Sequence, residues 1–324
     1  MTEATDPGAA AAEPAARGRR AVVVKWLRRV LVLAVLAGAI YQLVVQWPDV
    51  QDTLTSLPWT SVALSFASVF AAIGLGPVIW HAVLRDAGGQ VAIRDASMIY
   101  LVGQLGKYVP GSVWAFLVQM ELAKAVGVTR VRAFTASIVT AGLGVVASLL
   151  TGALALPSIL AGHQEYLWLF VLLPAGLVLL HPKPLTWIVS RGLRTLRRPP
   201  LERPLTAPAI LLALGLSAGT YVLLGLHLWL LSTAIGPIGF DGLLLCIGAM
   251  SLAMTAGLLA FFLPSGIGAR EVVIVAVLAT VLPSGPAFTL AVVSRLMFTI
   301  VDLASAGGAA LYVRMRRTET APVT

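Results

Sequence analysis

Gly106-Lys107-Tyr108-Val109-Pro110-Gly111 interrupts a long apolar segment, residues 96–126, near its middle. Pro110 lacks a backbone N–H and Gly111 permits dihedral angles that other residues avoid, so we expect a helix to break here. The arm before the break would rise only about 16 Å as a helix, roughly half of a 30 Å hydrocarbon core. Because both flanks are basic, the segment is predicted to enter from the cytoplasm, turn near mid-depth and return as a re-entrant hairpin.

A second apolar segment, residues 242–282, breaks at Leu263-Pro264-Ser265-Gly266-Ile267-Gly268-Ala269-Arg270-Glu271. The loops on either side of it contain no Lys or Arg, so the same rule predicts a hairpin that enters from outside. Its first arm is nevertheless long enough to span the membrane.

The composition indicates a membrane protein. Hydrophobic residues make up 58% of the 324 positions and charged residues only 11%, which leaves too little polar surface for a water-soluble globule of this size. We therefore predict an all-α, polytopic membrane protein with a transmembrane domain over residues 25–315, between a disordered cytoplasmic tail (1–24) and a second cytoplasmic tail (316–324). The six predicted full spans are residues 27–46, 60–84, 133–156, 166–181, 207–235 and 287–313.

The basic residues indicate the orientation. Twenty of the 23 Lys and Arg residues fall in segments that one topology places on the cytoplasmic side, and the alternate loops have none. Both termini are therefore predicted to be cytoplasmic, in a plasma (inner) membrane. The formal charge of +9 is explained by these loops and by anionic inner-leaflet lipids, so nucleic acid is not an expected partner. Residues 185–198 show an apolar and a basic helical face, which fits either a short helix on the inner leaflet or a topology-setting loop.

In order along the chain, the pattern is two spans, a hairpin from inside and a span, then two spans, a hairpin from outside and a span. The second half repeats the first with inverted topology, a recurrent transporter design. The alternative is eight unrelated helices with two kinks. Gly215 and Gly219 form a G-x-x-x-G pattern, which predicts close helix packing.

Three cations lie within apolar sequence: Lys107, Arg270 and Arg295. Each would cost roughly 2.5–3.5 kcal/mol at the bilayer centre unless it were paired, hydrated or snorkelled. Arg295 and Asp302 are seven residues apart on one helix face and cannot bridge each other well. We predict that Arg295 pairs with Glu271 and that Asp302 pairs with Lys107 or Arg270; such pairs would serve equally as static bundle contacts.

The two breaks also predict a phosphate site. A helix N-terminus with Ser112 as its N-cap, next to an ammonium, suits an anion, and an Arg can grip phosphate in a bidentate manner. The single Cys246 lies in an apolar run, so no Cys-based metal site is plausible. No metal or cofactor is expected. A Walker A loop would need Gly at Leu101 and Ser or Thr at Tyr108, so ATP hydrolysis is unsupported. The predicted substrate-binding residues are Lys107, Tyr108, Gly111, Ser112, Ser265, Gly266, Gly268, Arg270, Glu271, Arg295 and Asp302.

The two broken motifs resemble the paired signatures of the flippase-like family that includes the membrane domain of lysylphosphatidylglycerol synthases. The resemblance covers about residues 25–315 and implies a lipid flippase-type fold in which Lys107, Arg270 and Glu271 have the site role. Synthases of this family carry a large soluble catalytic domain, whereas only 11 residues follow Val313 here. We therefore expect no lipid aminoacylation by this chain.

The leading hypothesis is a non-enzymatic transporter of a phospholipid or isoprenoid-phosphate lipid, working by alternating access. One alternative is a membrane glycosyltransferase or lipid-modifying enzyme using Asp49 and Asp52 in the first outer loop. The other is a scaffold for cell-envelope enzymes, which would tolerate neutral replacement of the charged hairpin residues.

Overall fold

The computed structural model describes residues 57–109, 113–155, 205–260 and 263–319, together with residues 51, 55, 183, 184, 187, 190 and 191. All of them belong to one compact unit, Pro48–Thr324. The predicted tail at residues 1–24, the predicted spans at 27–46 and 166–181, and the acids Asp49 and Asp52 lie outside the described residues. So does most of the predicted interfacial helix.

The described part of the chain contains eight α-helices and no β-strand. Short 3-10 turns follow α2 at Leu105–Tyr108, α4 at Ala153–Ala155 and α6 at Pro264–Gly266. The helices are α1 (Trp59–Asp86), α2 (Ile93–Gln104), α3 (Val113–Lys124), α4 (Arg130–Gly152), α5 (Ala207–Ser232), α6 (Phe240–Leu259), α7 (Ala269–Leu278) and α8 (Ser284–Glu319).

Five of these helices are long and apolar enough to cross a membrane. Four of them, α1, α4, α5 and α8, correspond to the predicted spans at residues 60–84, 133–156, 207–235 and 287–313. The fifth is α6, the long first arm of the second broken segment. The predicted all-α, polytopic membrane fold is therefore confirmed.

The two broken segments differ in their dimensions. In the first, α2 and α3 have 12 residues each and pack against each other. At 1.5 Å per residue, each rises about 18 Å, well short of a roughly 30 Å core. In the second, α6 has 20 residues, enough to span, and α7 has only 10.

Small polar side chains join the helices. Trp80 of α1 donates to Ser137 of α4 at 2.9 Å, and Ser137 donates in turn to Gln119 of α3. Thr151 of α4 lies 2.8 Å from Ser251 of α6 between their hydroxyl oxygens. Within a bilayer such contacts contribute about 0.6 kcal/mol each on average, alongside close packing of small residues.

The predicted G-x-x-x-G packing on α5 is wrong. A Cβ atom at Gly215 would meet no described residue within 4 Å, and one at Gly219 would lie 3.9 Å from Leu75. The close approach lies further along the helix, where a Cβ at Gly225 would come within 2.4 Å of the Ile247 Cα on α6. The contact depends on where α5 and α6 cross, which the spacing of two glycines does not reveal.

Candidate functional site

At the first break, Gly106 allows the chain to pack closely against α3, and Asp302 pairs with the residues that follow it. A Cβ at Gly106 would come within 2.5 Å of the Ala115 backbone nitrogen, so only glycine lets the turn after α2 lie this close to α3. Beyond it, the Lys107 Nζ lies 2.6 Å from Asp302 Oδ2 on α8, and the Tyr108 hydroxyl donates to the same oxygen at 2.7 Å. Gly111 and Ser112 lie outside the described residues.

The second break has three residues in the left-handed region. Ser265, Gly266 and Gly268 have φ angles of 50°, 65° and 88°, a run that glycine adopts easily and serine at a cost. The chain then enters α7, where the Glu271 side chain accepts a hydrogen bond from the Gly268 backbone N–H at 2.7 Å. The other carboxylate oxygen of Glu271 accepts from Arg295 of α8 at 2.5 Å.

Both breaks are thus tied to α8 by a carboxylate. Arg295 pairs with Glu271 and Asp302 pairs with Lys107, which confirms the two predicted ion pairs and selects Lys107 over Arg270. The two 3-10 turns, Leu105–Tyr108 and Pro264–Gly266, also contact each other. The side chain of Asp302 is 5% exposed, so removing its partner would leave a nearly buried charge uncompensated.

Arg270 differs from the other cations of the two breaks. The residue is only 7% exposed, and its Nε is buried without a hydrogen-bond partner among the described residues. Within the described residues no carboxylate forms an ion pair with it; its guanidinium carbon instead lies 4.6 Å from the centroid of the Phe298 ring. A cation–π contact offsets only part of the cost of burying a guanidinium, so this group is suited to receive an anion.

One cavity of about 330 Å³ connects these features. Lys107, Ser265, Gly266, Arg270 and Asp302 all line it, so the two breaks open onto a shared chamber. Four other predicted site residues do not line this cavity. These are Tyr108, Gly268, Glu271 and Arg295, whose contacts anchor the breaks.

Two features of the site, Gly257 and Phe298, are absent from the prediction. Gly257 of α6 leaves room for the second break, because a Cβ there would lie 2.7 Å from Arg270 Cγ. Phe298 lies under the Arg270 guanidinium, and buried His227 packs edge-on to its ring at 5.8 Å, held between the hydroxyls of Ser65 and Ser294. The spacing of Phe298 between Arg295 and Asp302 could have placed it on the charged face of α8; no sequence signal singles out Gly257.

The fold and the cavity define a class: a multi-pass α-helical membrane protein whose broken helices meet at an internal, partly charged chamber. Residues 29–306 match the family described as "Lysylphosphatidylglycerol synthase TM region", and the chain belongs to this family. The match confirms the resemblance seen in the two motifs and associates the protein with lipid-related function. No curated protein matched the chain.

Proposed function

We propose that the protein moves a phosphate-containing lipid, anionic or isoprenoid-linked, between membrane leaflets by alternating access, with no catalytic step of its own. The observation that carries the proposal is the buried Arg270 guanidinium, which lines the cavity without a carboxylate partner in the described residues. A lipid phosphate entering the chamber would supply the missing counter-charge while the acyl chains remain in the bilayer.

The broken helices give the proposal a mechanism. In it, α2 and α3 form a re-entrant hairpin from the cytoplasm. The second broken segment is its inverted counterpart, which enters from outside and has one arm, α6, that is long enough to span. Two such halves can exchange conformations around a site near the membrane midplane. The helix lengths of the first segment and the contact between the two turns support this arrangement. Both termini then face the cytoplasm, in the plasma membrane.

The test is lipid transfer in liposomes. Purified protein is reconstituted with phosphatidylglycerol carrying a fluorophore on one acyl chain, and an impermeant reductant bleaches the label as it reaches the outer leaflet. Wild-type protein is expected to accelerate bleaching of the inner-leaflet pool under at least one imposed ion gradient. Arg270→Gln is expected to lower the rate by about tenfold or more, since a charge-assisted hydrogen bond contributes roughly 1.5–3 kcal/mol.

Arg85→Gln is the matched control. It removes one guanidinium from the exposed end of α1, outside the cavity, and is expected to leave the rate unchanged. Equal rates for Arg270→Gln and Arg85→Gln, or no acceleration by wild-type protein under any gradient, would contradict the proposal.

A further inference from the structure

The described lining of the cavity carries a net positive charge. The charged side chains that line it are Lys107, Arg270 and Asp302. Lys107 and Asp302 compensate each other at 2.6 Å, so the described lining carries one net positive charge, on Arg270. A phosphodiester carries one negative charge and balances it, whereas a phosphomonoester carries about 1.5–2 negative charges at pH 7.

The other polar groups in the described lining are neutral. They include the side chains of Tyr100 and Gln104 from α2, Thr140 from α4, and Tyr221 from α5. The Thr140 hydroxyl oxygen is buried and has no hydrogen-bond partner in the described part of the chain, so a second polar group at this cavity is unsatisfied. Tyr100 and Gln104 interact with each other and Tyr221 interacts with Ser148, so Thr140 is the neutral group left to bind a hydroxyl of an uncharged headgroup.

A cationic headgroup finds no counter-ion here. Asp302 is the only acid among the described lining residues, and its Oδ2 already accepts from Lys107 and Tyr108. An ammonium would have to displace Lys107 and would also meet the unpaired Arg270. The cavity of about 330 Å³ is near the lower end of the 300–1,000 Å³ usual for ligand sites, a volume that fits one small headgroup.

The geometry points to a specific substrate class, on the basis of the proposed function: a phosphodiester lipid whose headgroup is uncharged and bears hydroxyls, of the polyol or monosaccharide kind. Arg270 binds the phosphate and the neutral wall with Thr140 binds the hydroxyls. An aminoacylated lipid such as lysylphosphatidylglycerol, with two ammonium groups against one phosphate, is excluded by charge.

Binding is tested separately from transport. The intact protein is offered equimolar phosphatidylglycerol, phosphatidylmethanol and lysylphosphatidylglycerol in detergent, and retained lipid is measured by native mass spectrometry. Phosphatidylmethanol is a phosphodiester without headgroup hydroxyls. Comparing it with phosphatidylglycerol therefore distinguishes binding of the phosphate by Arg270 from binding of the hydroxyls by the wall with Thr140. Wild type is expected to prefer phosphatidylglycerol over lysylphosphatidylglycerol by about tenfold or more, and over phosphatidylmethanol by a smaller factor.

Three variants test which residue is responsible for each part of the lipid preference. Arg270→Gln is expected to abolish the preference against lysylphosphatidylglycerol, whereas Arg270→Lys, which keeps the charge, retains most of it. Thr140→Val, nearly isosteric, is expected to equalise phosphatidylglycerol and phosphatidylmethanol and to leave the discrimination against lysylphosphatidylglycerol intact. Size-exclusion chromatography checks that each variant is folded. If Arg270→Gln does not fold, the lipid preference of Arg270→Lys is compared with that of wild type instead.

Equal or tighter binding of lysylphosphatidylglycerol by wild type would overturn the inference. Displacement of bound lipid by soluble glycerophosphoglycerol would also overturn it, because the site would then recognise a solute. If phosphatidylglycerol binds selectively through Arg270 but is not transferred in liposomes, the proposed function fails and the inference stands. If phosphatidylglycerol and lysylphosphatidylglycerol are transferred in liposomes at equal rates, the proposed function stands and the inference fails.

Discussion

Individual charges at the two breaks have separate roles, which the contacts distinguish. Glu271 and Asp302 each accept two hydrogen bonds, one from the broken segment beside the cavity and one from a cation. These carboxylates fix the shape of the breaks, while Arg270 is left for a ligand. The ion pairs could be predicted from the sequence because an unpaired charge facing lipid is costly, and because Arg295 and Asp302 share a helix face.

Asp302→Asn is expected to lower the thermal unfolding temperature in detergent more than the double variant Lys107→Met with Asp302→Asn. The single change leaves Lys107 without its counter-ion, at a cost of about 1–3 kcal/mol, below the 3–5 kcal/mol of fully buried pairs because Lys107 is 28% exposed. The double change removes both charges. A double variant that is less stable than the single variant would contradict the role assigned to this pair.

Gly257→Ala is expected to lower phosphatidylglycerol binding and transfer, because the added methyl group would lie 2.7 Å from Arg270 Cγ and displace the guanidinium. Overpacking of this kind costs about 1–3 kcal/mol in stability. The matched control is Gly215→Ala, whose methyl group would meet none of the described residues within 4 Å and which gains up to about 1 kcal/mol of helix propensity. Equal binding by the two variants would contradict the assigned role of Gly257.

At the scale of elements, α8 organises the site. Arg295, Phe298 and Asp302 follow one another on a single face of this helix and contact the second break, Arg270 and the first break respectively. The breaks themselves were predictable from Pro and Gly interrupting apolar sequence. The crossing points of the helices were not, since Gly225 and Gly257 matter through the neighbours that they approach and not through their own spacing.

The re-entrant arrangement of α2 and α3 predicts that both ends of this pair face the same side. Single cysteines at Arg94 and Lys124, in a Cys246→Ala background, are expected to react with an impermeant maleimide only in inside-out vesicles. Cys246 is buried, so its replacement removes the native thiol without altering an exposed surface.

Gly239→Cys, in the loop between α5 and α6, is the control for the opposite side and should react in intact cells. Labelling of positions 94 and 124 from opposite sides would show that α2 and α3 cross the membrane together, and would contradict the hairpin.

At the scale of the whole molecule, composition and the distribution of basic residues were sufficient to predict a polytopic helical membrane protein. The lining of the cavity could not be predicted in the same way, because it comes from helices that are far apart in the chain. Four of these helices contribute Tyr100, Thr140, Tyr221 and Arg270. Periodicity assigns a residue to a helix face but does not identify the helix opposite that face. The pairing of the charges beside the cavity could be predicted, whereas its neutral wall could not.

The most direct test of the central claim is a cryo-electron microscopy structure of the protein in nanodiscs that contain phosphatidylglycerol. The account predicts phosphate density within hydrogen-bond distance of the Arg270 guanidinium, with Lys107 still paired to Asp302 and the acyl chains directed into the bilayer. An Arg270 side chain paired with a protein carboxylate, in a chamber without phosphate, would contradict it.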